Sequence, residues 1–421
     1  IRDRIGLAVR ATISVFSGHA EDMEGWTRHM RLYYESGVIY IEDVSIHILV
    51  FFIQLFFYAP YALLRFMGFN DIPCLAHPTR LIEAFFIKFP FMLGDVLSFI
   101  YMYRIIEVTL KSPHEKVPLL ISSFYYLNPL TIMISSAWGT YDNLAIAFTI
   151  MGVYYAWVKR RRLLSSLFFT LSGMMKLLGF IGLIILIVDC LREKRYREIL
   201  LFLGISVSVV FSLLIAPVLA LGHGYVSAFF GRKVSGTLAY GARVPYGGVG
   251  YQNVLQLFTE LIITRPVISI GTMTLSYSTA ILMGVLCALV LFYIRWLGPI
   301  SGSKSNRGPL IAALCLITWF LIAYCLIYHR AYKHHYLWIM PFMLLYGVIA
   351  RKNGAIALSV LLPLEWLVYL QATQTLGYIP LGIPYKVSYV LRVSYEDAYA
   401  TGVAMSIFLL QASLFMLKPS E

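Results

Sequence analysis

KRRRLLSSLFFTLSGMMKLLGFIGLIILIVDCLREKRYR, residues 159–197, places two dense basic clusters on either side of an almost unbroken apolar stretch. Lys159, Arg160, Arg161 and Arg162 form the first cluster; Arg192, Lys194, Arg195 and Arg197 form the second. Basic loops collect on the cytoplasmic side of a membrane, so both clusters are expected there. The 28 residues 163–190 between them must then leave the cytoplasm and return. Two full crossings require about 40 residues. The segment is therefore predicted to form a pair of short helices or a broken re-entrant hairpin, with its apex near Lys176.

The rest of the chain has the same character. Of 421 residues, 59% are hydrophobic and 13% charged, where a soluble domain carries about 25% charged residues. Mean hydropathy is +0.76. This excludes soluble, secreted disulfide-rich, collagen-like and disordered classes. A β-barrel is excluded as well, because its ~10-residue strands alternate apolar and polar and these runs do not. A first short apolar run covers about Ile5 to Gly18, flanked by Arg2 and Arg4 and interrupted by Arg10. Others are centred at 44–66, 83–106, 117–137, 142–158, 163–190, 198–221, 274–297, 308–328, 336–350, 354–376 and 399–417. The expected fold is all-α, a polytopic transmembrane protein of about 11–13 helices forming a single module over residues 1–421.

The net charge of +13 would suggest nucleic acid in a soluble protein; here it follows from basic cytoplasmic loops, and no nucleic-acid partner is expected. Cys74, Cys190, Cys287, Cys315 and Cys325 show no metal spacing, so neither zinc nor a disulfide framework is inferred. Asn and Gln number six each, a depletion that hints at a heat-loving source. A prokaryotic cell membrane, archaeal and thermophilic, or an endoplasmic reticulum membrane would both suit the chain.

Topology follows from the basic loops. The first helix leaves the cytoplasm, and 19–42 form a first external loop of amphipathic character. Residues 222–270 form a long external loop and 329–335 an external basic loop. Asp22 and Asp142 then both lie outside, although three apolar runs separate them. An even number of crossings is required, so one of 44–66, 83–106 and 117–137 is expected not to span.

Several residues could carry chemistry. In His329-Arg330-Ala331-Tyr332-Lys333-His334-His335-Tyr336, five of eight residues are basic or can become so, on the face where few cations are expected. One reading is headgroup contact; the sharper one is a phosphate site built from Arg330, Lys333, His334 and His335, joining a planar fork, a point charge and proton donors. Arg232, Lys233 and Arg243 in the 222–270 loop are a weaker cluster, with Arg243 an outlying phosphate candidate. Glu21, Asp22 and Glu24 follow the first helix directly, where a carboxylate is placed to act as general base on a hydroxyl or simply to be solvated. Asp142 opens a helix and could serve only its dipole. Lys88, Asp95, Lys176 and Glu365 interrupt apolar runs, where a charge is a functional candidate unless paired internally. Glu21, Asp142 and Lys176 are candidates to line a cavity.

Taken in order, Gly18-His19-Ala20-Glu21-Asp22-Met23-Glu24-Gly25-Trp26 with Tyr34-Glu35-Ser36-Gly37, Lys88-Phe89-Pro90 with Asp95, Asn128-Pro129 leading into Trp138-Gly139-Thr140-Tyr141-Asp142, Gly173-Met174-Met175-Lys176, Gln252-Asn253, and Lys333-His334-His335 with Pro341 form a set. That set resembles the GT-C class of polytopic glycosyltransferases, and most the mannosyl- and glucosyltransferases that use polyprenyl (dolichyl) phosphate sugars as donors. Thr140 stands where this class often has Gln. The resemblance implies a catalytic acid at Asp22, inverting transfer of a hexose, mannose favoured, at the outer or luminal membrane face, and work without metal or other cofactor. It implies a polyprenyl-phosphate sugar donor, a lipid-linked or glycan acceptor and contact with membrane lipids. The competing classes are a transporter or flippase for a lipid-linked or anionic solute, which unpaired intramembrane charges would suit, a lipid-linked glycan ligase, and a non-catalytic subunit of a larger transferase.

Overall fold

The computed structural model describes residues 2–37, 48–74, 79–110, 116–176, 178–221, 266–270, 273–297, 307–327 and 335–372. Their regular structure is helical apart from one antiparallel hairpin, β1 Pro266–Ile270 with β2 Met273–Ser276. The helices are α1 Arg2–Phe16, α2 Ala20–Ser36, α3 Ile48–Phe66, α4 Leu81–Leu110, α5 Lys116–Tyr126, α6 Pro129–Trp138, α7 Asp142–Val153, α8 Arg162–Met175, α9 Leu178–Arg192 and α10 Tyr196–Leu221. After the hairpin come α11 Tyr277–Phe292, α12 Arg307–Ile327, α13 Tyr336–Ala350 and α14 Asn353–Ala372. By length and composition α3, α4, the start of α10 and α12 can each cross a membrane. The protein is an all-α membrane protein in these respects. The final run, 399–417, lies outside the described residues.

The segment between the basic clusters folds back on itself. α8 ends at Met175, Lys176 is extended, and α9 returns. At 14 and 15 residues each arm is about 21–23 Å long, short of the ~30 Å hydrocarbon core. The arms pack closely, since a β-carbon on Gly179 would overlap the carbonyl oxygen of Phe169. At the open end Arg162 Nη2 lies 2.7 Å from Glu193 Oε1 and Nη1 lies 3.4 Å from Glu198 Oε2. That hydrogen bond from Arg162 holds the Glu193 carboxyl below its ordinary pKa. The two basic clusters therefore share one end of the bundle, the basic end, and Lys176 lies at the other, the site end.

Run 117–137 is not one straight helix. α5 and α6 meet at an angle of 47°. Pro129 has no N–H to continue α5, and Asn128 accepts from Leu130 N at 2.9 Å, starting α6 afresh as its N-cap. From Met133 the backbone is π-helical, and it stops at Gly139 with φ 89°, a left-handed conformation that glycine adopts without strain. Run 274–297 also departs from expectation: its first residues pair as strand β2, and helix begins only at Tyr277.

α4 is the axis of the first half. Its 30 residues extend about 45 Å and pack on α1, α3, α5 and α7. α3 packs on α4, α2 and α8, and its hydrogen bonds to α4 are at the start of that helix: Tyr58 donates to Glu83 Oε1 at 2.6 Å, and Gln54 Nε2 reaches Ile87 O at 3.5 Å. Arg31 of α2 bonds Glu83 Oε1 at 2.8 Å, so α2, α3 and the start of α4 form one unit at the site end. α3, α4 and the bent α5–α6 pair all have the length and composition of crossing segments, so which of the three runs between Asp22 and Asp142 stays on one side is a matter for labelling.

One pair of buried charges is neutralised within the bundle. Arg10 and Asp95, both 0% exposed, join through Nε and Oδ2 at 2.7 Å. Ser135 Oγ donates to the same oxygen at 2.6 Å, and Asn143 Nδ2 donates to Oδ1. Arg10 also donates to Tyr126 O and lies 4.1 Å above the Tyr126 ring. α1, α4, α6 and α7 thus meet at one carboxylate.

Two outcomes are expected. In a cysteine-free background, Glu24→Cys and Met67→Cys should react with an impermeant maleimide from one side of intact membranes, and Arg160→Cys and Lys194→Cys only from the other. Labelling of position 67 together with position 160 would mean that α3 crosses. Removing one partner of a buried ion pair costs about 3–5 kcal/mol, whereas replacing both by apolar groups is close to neutral. Asp95→Ala should therefore melt well below wild type in detergent, and Arg10→Met/Asp95→Leu above Asp95→Ala.

Candidate functional site

The site end gathers residues from α1, α2, α6, α7, the α8–α9 turn and α13. α1 ends at Phe16, and three residues later His19 caps α2. Asp22 therefore lies in the first turn of α2. Its Oδ2 accepts from Trp138 Nε1 at 2.6 Å and lies 3.1 Å from His19 Nδ1. The His19 ring stacks on Trp138, centroids 5.1 Å apart, and His19 N donates to Trp138 O at 3.2 Å. Asp22 is thus held by the residue three positions before it and by an indole 116 positions later. Its side chain is 45% exposed, so a substrate can reach it.

A second carboxylate lies close by. Asp142, 1% exposed, faces Lys176 Nζ at 3.4 Å and accepts from Trp338 Nε1 at 2.8 Å. Lys176 also stands over the rings of Tyr141 and Trp338, at 4.5 Å and 5.7 Å. Asp142 therefore does more than open α7: it neutralises the apex lysine and ties α7 to α13. Tyr141 joins the two centres, packing edge-on against Trp26 of α2 and lying within electrostatic reach of both Asp22 and Asp142.

His335 is buried rather than displayed in an external loop. Its ring is 4.2 Å from Trp338, and Nδ1 lies 3.3 Å from the Tyr324 hydroxyl. It anchors the start of α13 at the site end; burial fits it to packing better than to direct phosphate contact. Arg330, Lys333, His334 and Arg243 lie outside the described residues, as do the side chains of Glu21 and Glu365. Of the candidates named from sequence, the structure brings together Asp22, Asp142, Lys176 and His335. It adds His19, Trp138, Tyr141 and Trp338, which hold the two carboxylates. The spacing of His19 and Asp22, three apart on one helix turn, was a local signal for the first of these. The indoles carry none in the sequence.

The chemistry available is that of two unlike carboxylates. A carboxylate already paired with an ammonium and sealed from solvent, as Asp142 is, is suited to fixing geometry. One that is oriented by two side chains and open to solvent, as Asp22 is, is suited to accepting a proton. Among the described residues no three His, Cys, Asp or Glu side chains group closely enough to hold a metal ion. No protein-family model, curated protein or solved structure matches this chain.

Proposed function

We propose that the protein is a membrane glycosyltransferase of the GT-C type, transferring a hexose, with mannose favoured, from a polyprenyl-phosphate donor to an acceptor hydroxyl. The observation that carries this reading is the solvent-reachable Asp22 carboxylate, oriented by Trp138 and His19 at the end of the bundle opposite the basic clusters. By the positive-inside tendency that end is the outer or luminal face.

In the proposed reaction the acceptor oxygen attacks C1 of the donor sugar from the side opposite the phosphate. The C1–O bond to phosphate breaks, polyprenyl phosphate leaves with the electron pair, and the hydroxyl proton passes to Asp22. The configuration at C1 inverts. Negative charge grows on the departing phosphate, and fixed cations there lower the barrier. Arg330, Lys333 and His334 are the proposed cations, with Arg243 an outlying candidate; in sequence the basic segment runs directly into His335, which is packed against Trp338 at the site.

Among the described residues the charges in apolar runs are met within the protein, which favours the transferase over a transporter or flippase: Arg10 and Asp95 neutralise each other, Lys88 is surrounded by carbonyls, and Lys176 faces Asp142.

Asp22→Asn keeps the shape of the side chain and removes the base. It should lower turnover by about 10²–10⁴-fold, the range of general-base catalysis, and leave donor affinity unchanged in a binding assay with polyprenyl-phosphate mannose. Full turnover in the variant would refute the assignment of the base.

A further inference from the structure

Lys88 is 0% exposed, and no carboxylate bonds its ammonium among the described residues. Its Nζ instead lies within hydrogen-bond distance of four backbone carbonyls, two of them able to share one N–H: Ser14 O at 3.1 Å, Ser17 O, Ser136 O at 3.0 Å and Ala137 O at 3.3 Å. A neutral amine would turn its lone pair toward one of these oxygens, whereas an ammonium offers three N–H groups to them. The carbonyls come from two helix ends. Ser14 is in the last turn of α1 and Ser17 just follows it; Ser136 and Ala137 are in the last turn of α6. The last carbonyls of a helix have no intrahelical donor and carry the negative end of its dipole. One ammonium therefore caps two helices at once.

Those two ends carry the proposed base and its partner. Ser17 lies two residues before His19 and five before Asp22, and Ala137 precedes Trp138, whose indole bonds Asp22. The Lys88 stem also packs under Gly139, where an added β-carbon would meet Lys88 Cε at 3.0 Å and Met23 Sδ at 3.2 Å. Met23 is the residue after Asp22. A β-carbon at position 139 would crowd both side chains, and the φ of 89° there is one that other residues adopt only with strain.

We propose that Lys88 is the positioning residue of the Asp22–Trp138 pair: by clamping the ends of α1 and α6 together it sets the distance and angle at which the indole N–H meets the carboxylate. This rests on the transferase reading for its consequence in turnover, but not for the geometry. Arg10 and Asp95, with Ser135, also join α1, α4 and α6, so loss of the ammonium should shift the helix ends without separating the helices.

The test uses Lys88→Met, which keeps the length of the stem without a donor, and Lys88→Gln, which restores two N–H groups without charge. The first readout is the indole N–H resonance of Trp138 in purified, ¹⁵N-tryptophan-labelled protein, assigned with Trp138→Phe. The second is turnover per folded molecule with polyprenyl-phosphate mannose. In Lys88→Met the resonance should move toward that of an indole without a carboxylate partner. kcat should fall about 10²-fold, as a misplacement of about 1 Å does, with donor KM unchanged; Lys88→Gln should lie between the two. A folded Lys88→Met with the wild-type resonance overturns the proposal whatever its activity. Failure of both variants to fold overturns it too, because Lys88 would then serve the whole fold rather than the pair. If the resonance moves as expected but the wild-type protein transfers no sugar from any polyprenyl-phosphate donor, the transferase reading falls and the positioning role stands.

Discussion

A charge enclosed by apolar helices has to be met by acceptors or counter-charges that the protein itself supplies, because neither lipid nor water is there to do so. Arg10, Lys88, Asp95 and Lys176 all obey this constraint, and the architecture of the first half follows from how they do. Arg10 and Asp95 bind α1 to α4, with Ser135 and Asn143 bringing in α6 and α7. Lys88 gathers the ends of α1 and α6. Lys176 and Asp142 close the α8–α9 turn onto α7, and Trp338 adds α13. Each of these contacts joins residues far apart in the chain, so together they specify which helices are neighbours, where apolar packing alone discriminates poorly.

The same contacts build the candidate site. Asp22 is on an amphipathic helix beyond the end of α1, and such a helix would be free to slide along the surface of the bundle. It is held instead through His19, which stacks on Trp138 and bonds its carbonyl, and through the indole N–H. Asp142 is sealed beneath, with its own cation and its own indole. Two carboxylates on one side of the bundle are thus kept chemically distinct, one neutralised and enclosed, the other oriented and open. That separation is the ground for proposing the open one as the base and the enclosed one as structural.

The helical hairpin around Lys176 was legible because its reason is one of length: two basic clusters that share a face leave too few residues for two full crossings. The expectation of one non-spanning run before Asp142 rests on the same kind of length and parity argument. Composition does not single out that run, since α3, α4 and the α5–α6 pair all have the length and hydropathy of crossing segments. Pro129 marked a break, but not its angle. At the site, Asp22 could be singled out as an acid following the first helix. Its partner Trp138 could not, because nothing local distinguishes an indole that meets a carboxylate 116 residues away from one that meets lipid. Lys88 was visible only as a charge in an apolar run; that carbonyls rather than an acid would satisfy it depends on two helices ending at the same place. His335 was read as an exposed cation from the density of basic residues around it, and its burial against Trp338 follows from its position at the first turn of α13.

The most direct measurement is the anomeric configuration of the product. Purified protein incubated with β-linked polyprenyl-phosphate mannose or glucose and a hydroxyl acceptor should yield an α-linked hexoside and free polyprenyl phosphate, because one carboxylate base at Asp22 supports a single displacement. A β-linked product would require a second displacement with a carboxylate as nucleophile and would contradict the role of Asp22 as base in a single displacement; release of neither product from any such donor would contradict the assignment of this site to glycosyl transfer.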